Sequence, residues 1–205
     1  MAHRHRGNRD LRRERATRRR NPVILVVCDG EESEFHYFCA LRQEIRNPGC
    51  RVVAVTVRSG GYLKVAVERA IRSREERCTE PDDEAWVVCD VDGRDDRLPE
   101  ARALAKRNGL LLAVSNPRFE LWALLHFKRL GTASITDGRR KLDAPLRRQG
   151  IEPHGKFDYR KLSPNYDTAV KNARDLDGAD DPAQTSLENP STDVWRLTER
   201  IRRLQ

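Results

Sequence analysis

No stretch of the 205-residue chain approaches the roughly 20 consecutive apolar residues that a membrane helix needs, so no membrane partner or span is expected. The basic N-terminus is not followed by an apolar h-region, which argues against a classical secretion signal and for a cytoplasmic location. The five cysteines include no CxxC pair, and Cys28 and Cys89 lie inside apolar runs; they read as buried, reduced thiols rather than a zinc site. A Walker-type phosphate loop is also missing, so ATP hydrolysis would need a separate protein. Hydrophobic residues make up only 38% and charged residues 35%, yet three Trp, five Phe and regular apolar runs speak against global disorder. The length suits one compact domain with a small appendage and is short for two enzymatic domains.

Charge is abundant and unevenly placed. Residues 1–20 hold nine Arg against Asp10 and Glu14, a net of +7 out of the total of +8. Residues 21–127 are slightly acidic at −3, residues 128–161 are basic at +6, and residues 162–205 return to −2. The first segment has almost no apolar residue and is read as a flexible Arg-rich tail, residues 1–21. Two roles stay open for it: an arm that binds polyphosphate in a salt-dependent way, or a solubilising segment that orders only in a complex.

From residue 22 the pattern becomes periodic. Val23 to Cys28 is a continuous β-branched run of the kind buried on both faces of a parallel sheet, and it ends at Asp29-Gly30. Ser33 is expected to cap a helix over 34–46, with Phe35, Phe38, Leu41 and Ile45 inward. A second strand over 51–57, a helix from Tyr62 behind Gly60-Gly61, a third strand over 85–89, a helix over 99–108 and a fourth strand over 110–114 follow. A helix starting at Pro117 closes the series. Four βα units in about 105 residues predict an α/β fold, a parallel sheet with helices on both faces, over residues 22–130. Residues 131–205 are read as a basic insert, with a short helix over 137–149, and C-terminal helices starting at Ser163-Pro164 and Asn189-Pro190 that pack on the core.

Ligands of open α/β sheets bind beyond the carboxyl ends of the strands. The first strand ends in Asp29-Gly30-Glu31-Glu32-Ser33-Glu34 and the third in Asp90-Val91-Asp92, and these two strands are expected to be neighbours. Carboxylates crowded at one edge repel one another, and a divalent cation relieves the repulsion. Oxygen donors without a His pair or thiolate favour Mg²⁺ or Mn²⁺. Single acidic strand ends also serve as helix caps, and Asp95 and Asp96 are read as helix-entry charges.

These residues carry a resemblance. The string Cys28 to Glu34 followed by Tyr37-Phe38, then Asp90-Val91-Asp92, then Ser115-Asn116-Pro117-Arg118-Phe119-Glu120-Leu121-Trp122 with His126-Phe127, and late in the chain Asn189-Pro190-Ser191-Thr192-Asp193-Val194, is similar to the RloB-like family, which includes abortive-infection AbiLii-like proteins. The likeness runs from about residue 22 to the end and leaves the Arg tail outside. It implies a Toprim-like core, a link to restriction and anti-phage loci, and Mg-dependent phosphodiester chemistry. Carried over, the metal ligands are Asp29, Asp90 and Asp92, with Glu34 as an added acid one helical turn on. The pattern departs at Asp29, where the family usually has Glu; the carboxylate is withdrawn by about one bond length.

Around that edge, Ser115 and Asn116 stand before the Pro-initiated helix, where they either present phosphate to free backbone N–H groups or act as plain caps. Glu120, about one turn in, is placed in the site. Trp122, Leu125 and Phe127 are read as core, and His126 as a satisfied core histidine. His154 precedes Gly155-Lys156, and Lys156 is a candidate cation for offsetting charge on phosphorus, with a simple surface lysine as the alternative. Arg139, Arg140, Lys141, Arg147, Arg148, Arg160 and Lys161 would line a groove for a nucleic-acid backbone. The expectation is a Mg-dependent nuclease; the alternative is a non-catalytic nucleic-acid-binding or partner-docking subunit working with a separate ATPase. A nucleotide-handling enzyme is a third possibility.

Overall fold

The computed structural model describes residues 20–30, 32–45, 49–57, 62–91, 97–131, 133, 135, 139–155, 157–177 and 189–204, with only the backbone at residue 139. The expectations placed on the tail up to residue 19, Gly60-Gly61, Asp92, Asp95, Asp96, Lys156 and the Arg139 side chain lie outside the described residues.

Strand β1 (Val23–Cys28) is buried at every position, as its unbroken β-branched run requires. It pairs in parallel with β2 (Arg51–Thr56) on one side and with β3 (Glu84–Asp90) on the other, and β3 pairs in parallel with β4 (Leu111–Asn116). The sheet order is β2-β1-β3-β4-β5, where β5 is a two-residue strand, Ser191–Thr192, antiparallel to β4.

The side-chain period of two splits β1 between two cores. Val23, Leu25 and Val27 join a layer built by α2 (Leu63–Arg77) and α3 (Leu98–Arg107). Ile24, Val26 and Cys28 join a second core with α1 (Ser33–Glu44), α4 (Glu120–Leu125) and the C-terminal region. The direction of winding reverses at β1, which sends α1 to the face opposite α2 and α3 and leaves a switch point between the carboxyl ends of β1 and β3.

Five local expectations need correction. Ser33 does not cap α1; it is the first helical residue, and Glu32 before it makes no side-chain capping bond. The helix expected from Pro117 begins only at Glu120, because Ser115 and Asn116 are the last residues of β4 and residues 117–119 turn the chain. Neither Ser115 nor Asn116 is therefore a cap: Ser115 Oγ lies 2.9 Å from Thr192 Oγ1, and both pair with β5. The single helix over 137–149 is a π-helical turn, Arg139–Asp143, running into the short α5, Ala144–Arg148. The terminal helix does not start at Pro190. Ser191 and Thr192 are spent on β5, and α8 spans Val194–Arg203.

Described residues beyond 131 pack on the core. Phe157 and Tyr159, at the start of α6 (Tyr159–Leu162), meet aromatic rings from earlier in the chain: Phe157 stacks on Phe119 at 6.0 Å and Tyr159 meets Tyr37 edge-on at 5.2 Å. Helix α7 (Tyr166–Asp177) follows, and its buried Asn172 donates to the Leu125 carbonyl at 2.8 Å. At the other end, Arg20 is already held by the buried Asp83 carboxylate, which also accepts the Val23 N–H, so packed structure begins two residues ahead of Pro22. No described helix is long and apolar enough to cross a membrane.

Candidate active site

The switch point brings Asp29, Glu34, Asp90 and Glu120 within range of one another's charges, while Asp92 lies outside the described residues. Asp29 follows β1 directly and its N–H donates to the Val88 carbonyl of β3 at 3.1 Å, which locks the end of β1 against β3. Asp90 is the last residue of β3, in register with Ser115 of β4. Glu34, in the first turn of α1, folds back over Gly30: a Cβ at position 30 would stand 2.6 Å from Glu34 Oε2, so glycine is what allows the carboxylate to lie against the backbone. Glu120, the first residue of α4, is buried and completes the group.

These carboxylates feel one another. Glu34 is pushed up to about 7, first by burial and then by the charges of Glu120 and Asp29, against a backbone hydrogen bond that favours its ionised form. Asp90 is raised well above the usual carboxylate range by burial and by Glu34, Glu120 and Asp29, with the Arg118 guanidinium opposing. Its Oδ1 is fully buried and has no hydrogen-bond partner among the described residues. Such an orphaned oxygen within an all-oxygen donor set suits a hard divalent cation. Among the described residues no three His, Cys, Asp or Glu side chains are already grouped to hold a metal, and Asp92 lies outside them.

Three residues that the sequence reading passed over surround Glu120. Arg118 Nη2 donates to Asp143 Oδ1 at 2.7 Å, and its Nε is 3.9 Å from Glu120 Oε2. His154 Nε2 is 2.9 Å from Asp143 Oδ2, and the His154 backbone N–H donates to Glu120 Oε1 at 3.3 Å. Arg118 and Asp143 are buried. The signals for them were minor: a second charge beside Glu120 in the SNPRFELW string, and one acid and one imidazole within a cationic stretch.

The remaining described candidates have other partners or stand exposed. Ser115 is engaged with Thr192, and Asn116 is buried in β4. Arg147 pairs with Glu152 at 3.2 Å, Arg160 with Asp158 at 3.1 Å, and Lys161 donates to the Gly150 carbonyl at 2.7 Å. Arg140, Lys141 and Arg148 are exposed on the π-helical turn and α5. His126 is buried as expected, but it is satisfied on one side only: its Nε2 has no hydrogen-bond partner among the described residues. Its Nδ1 lies 2.9 Å from the Trp122 carbonyl, and burial lowers it to about 4.

A model of the RloB-like protein family matches residues 24–201, all of the sheet but its first residue. The chain belongs to the RloB-like family. That membership places it among restriction-associated, defence-related proteins. No curated protein and no solved structure gives a significant match.

Proposed function

We propose that this RloB-like protein is a Mg²⁺- or Mn²⁺-dependent nuclease of a phage-defence system, with a Toprim-like core. The observation that carries the reading is the convergence of Asp29, Glu34 and Asp90 at the sheet's switch point, where burial and mutual repulsion push Glu34 and Asp90 up. Asp29, Glu34, Asp90 and Asp92 would hold the ion. When bound, it supplies Lewis-acid stabilisation of charge building on the phosphoryl oxygens. The chain's own residues do the rest. Glu120 and Arg118 border the carboxylates, Lys156 offsets charge on the phosphate, and Arg140, Lys141 and Arg148 track the nucleic-acid backbone without reading bases. ATP hydrolysis, where the system needs it, falls to a separate partner.

The test is incubation of the full chain with labelled plasmid, single-stranded DNA and total RNA in Mg²⁺ or Mn²⁺, beside Asp90→Asn and a chelator control. Cleavage lost on chelation and in Asp90→Asn is the expected result. Equal cleavage by Asp90→Asn overturns the assignment of the site. Mn²⁺ binding without cleavage by the natural protein would replace the nuclease with the nucleic-acid-binding subunit.

A further inference from the structure

The insert delivers an imidazole to the same edge. His154 has a half-exposed side chain, and both ring nitrogens are turned toward buried carboxylates: Nε2 is 2.9 Å from Asp143 Oδ2 and Nδ1 is 3.5 Å from Glu120 Oε1. Its backbone lies in the left-handed region at φ 59°, a conformation that a non-glycine residue keeps only when its surroundings impose it. The surroundings are explicit. Glu120 accepts its backbone N–H, Asp143 grips its ring, and Arg118 Nη1 stands 3.0 Å from Nε2 and 3.4 Å from Nδ1. Two residues before and three after it, Glu152 is exposed while Phe157 is stacked into the core, so the ring sits at the boundary between core and solvent. A histidine oriented by a buried carboxylate, with one edge open to solvent, is the arrangement that acid–base residues share across unrelated folds.

We infer that His154 is the proton donor to the leaving oxygen in this hydrolysis, and that Asp143 is the positioning residue that orients its ring. The inference rests on the nuclease reading and adds to it a group that the carboxylate set does not supply. Asp143 Oδ2 holds the ring at Nε2, 2.9 Å away, and Nδ1, at 3.5 Å from Glu120 Oε1 on the half-exposed ring, is the nitrogen assigned to carry the transferred proton. The step balances. The water oxygen bonds to phosphorus as the P–O bond to the leaving nucleoside breaks, and the electron pair of that bond stays on the leaving oxygen. His154 gives that oxygen its proton, and the proton released by the attacking water restores His154. Arg118, which keeps its charge throughout, remains paired with Asp143.

The decisive comparison uses the full chain in Mn²⁺ with two versions of one labelled oligonucleotide, the natural phosphodiester and the same strand with the leaving oxygen replaced by sulfur. A thiolate departs without a proton. His154→Asn is the first variant, since asparagine tolerates the left-handed backbone, and His154→Gln is the second. Both are checked for folding by near-ultraviolet circular dichroism. A fall of about 100-fold or more on the natural strand, with little change on the sulfur strand, is expected. Equal losses on both strands, or no loss on either, overturn the role while leaving the nuclease standing. Failure of the natural protein to cleave either strand removes the nuclease reading, and the inference with it.

Discussion

The two faces of the sheet are built from different materials. The face under α2 and α3 is lined by Val, Leu, Ala and Cys, without one aromatic ring in its buried cluster, and every residue in it lies between Val23 and Val114. The opposite face buries Tyr37, Phe38, Trp86, Phe119, Trp122, Phe157, Tyr159 and Trp195 and reaches as far as Ile201. Glu34, Glu120, Arg118 and the buried His126 lie on or beside α1 and α4, the helices of the second face. The first face is assembled from βα units that are neighbours in sequence and needs only smooth aliphatic packing. The second closes over a charged edge with segments from far along the chain, where large rings supply enough buried area to hold polar groups out of water.

The largest break in that comparison comes from the rings. Trp122→Ala should cost about 3–5 kcal/mol in chemical denaturation, against about 2 kcal/mol for Val67→Ala on the aliphatic face, since the tryptophan is completely buried and leaves a larger cavity. Equal costs would mean that the aromatic face collapses around the loss.

Repulsion within the acid cluster gives the next effect. Glu34 has a folded value of about 7 above its ordinary 4.5, so its contribution is favourable while it is protonated and is lost as pH rises through about 7. Glu34→Gln in metal-free protein should therefore be more stable than the natural protein at pH 8, by roughly 2–3 kcal/mol, with the gap closing by pH 5. Added Mn²⁺ should narrow it by stabilising the natural protein alone. A gap that does not change with pH would remove Glu34 from the coupled cluster.

His126 works in the opposite sense. Its value of about 4 lies below the ordinary 6.5, so folding loses stability as pH falls below 6.5 toward 4. Between pH 6.5 and 5 the natural protein should lose about 2 kcal/mol relative to His126→Asn, whose amide nitrogen takes the place of Nδ1. Parallel urea midpoints for the two proteins across that range would show that the histidine is not held neutral.

The smallest effect belongs outside both cores. Arg148→Ala should leave the melting temperature unchanged, because the side chain is exposed, while lowering the slope of log K against log salt for nucleic-acid binding by about one. An unchanged slope would take α5 out of the binding surface.

Much of this was legible beforehand. The unbroken Val23–Cys28 run announced a central parallel strand, and the acids at the ends of β1 and β3 announced a crowded acidic edge. Glu34 was legible by spacing, one helical turn beyond a glycine that lets it fold back. Strand β5 was hidden because Ser191–Thr192 is two polar residues long and offers no alternation to read. The α4 boundary was misread for a related reason. Pro117 signals a helix start, but Ser115 and Asn116 ahead of it have strand partners that appear only when residues 191–192 arrive from the other end of the chain.

The sequence by itself determined the βα order, the two-sided burial of β1 and the acids at the strand ends, because those follow from periods of 2 and 3.6 residues acting within single elements. Only the tertiary structure decided what stands against those acids. Arg118 meets Asp143 across 25 positions and His154 meets Glu120 across 34, contacts that no local periodicity encodes. They form because Phe157 and Tyr159 must bury their rings against Phe119 and Tyr37, and that packing carries the imidazole to the edge of the sheet.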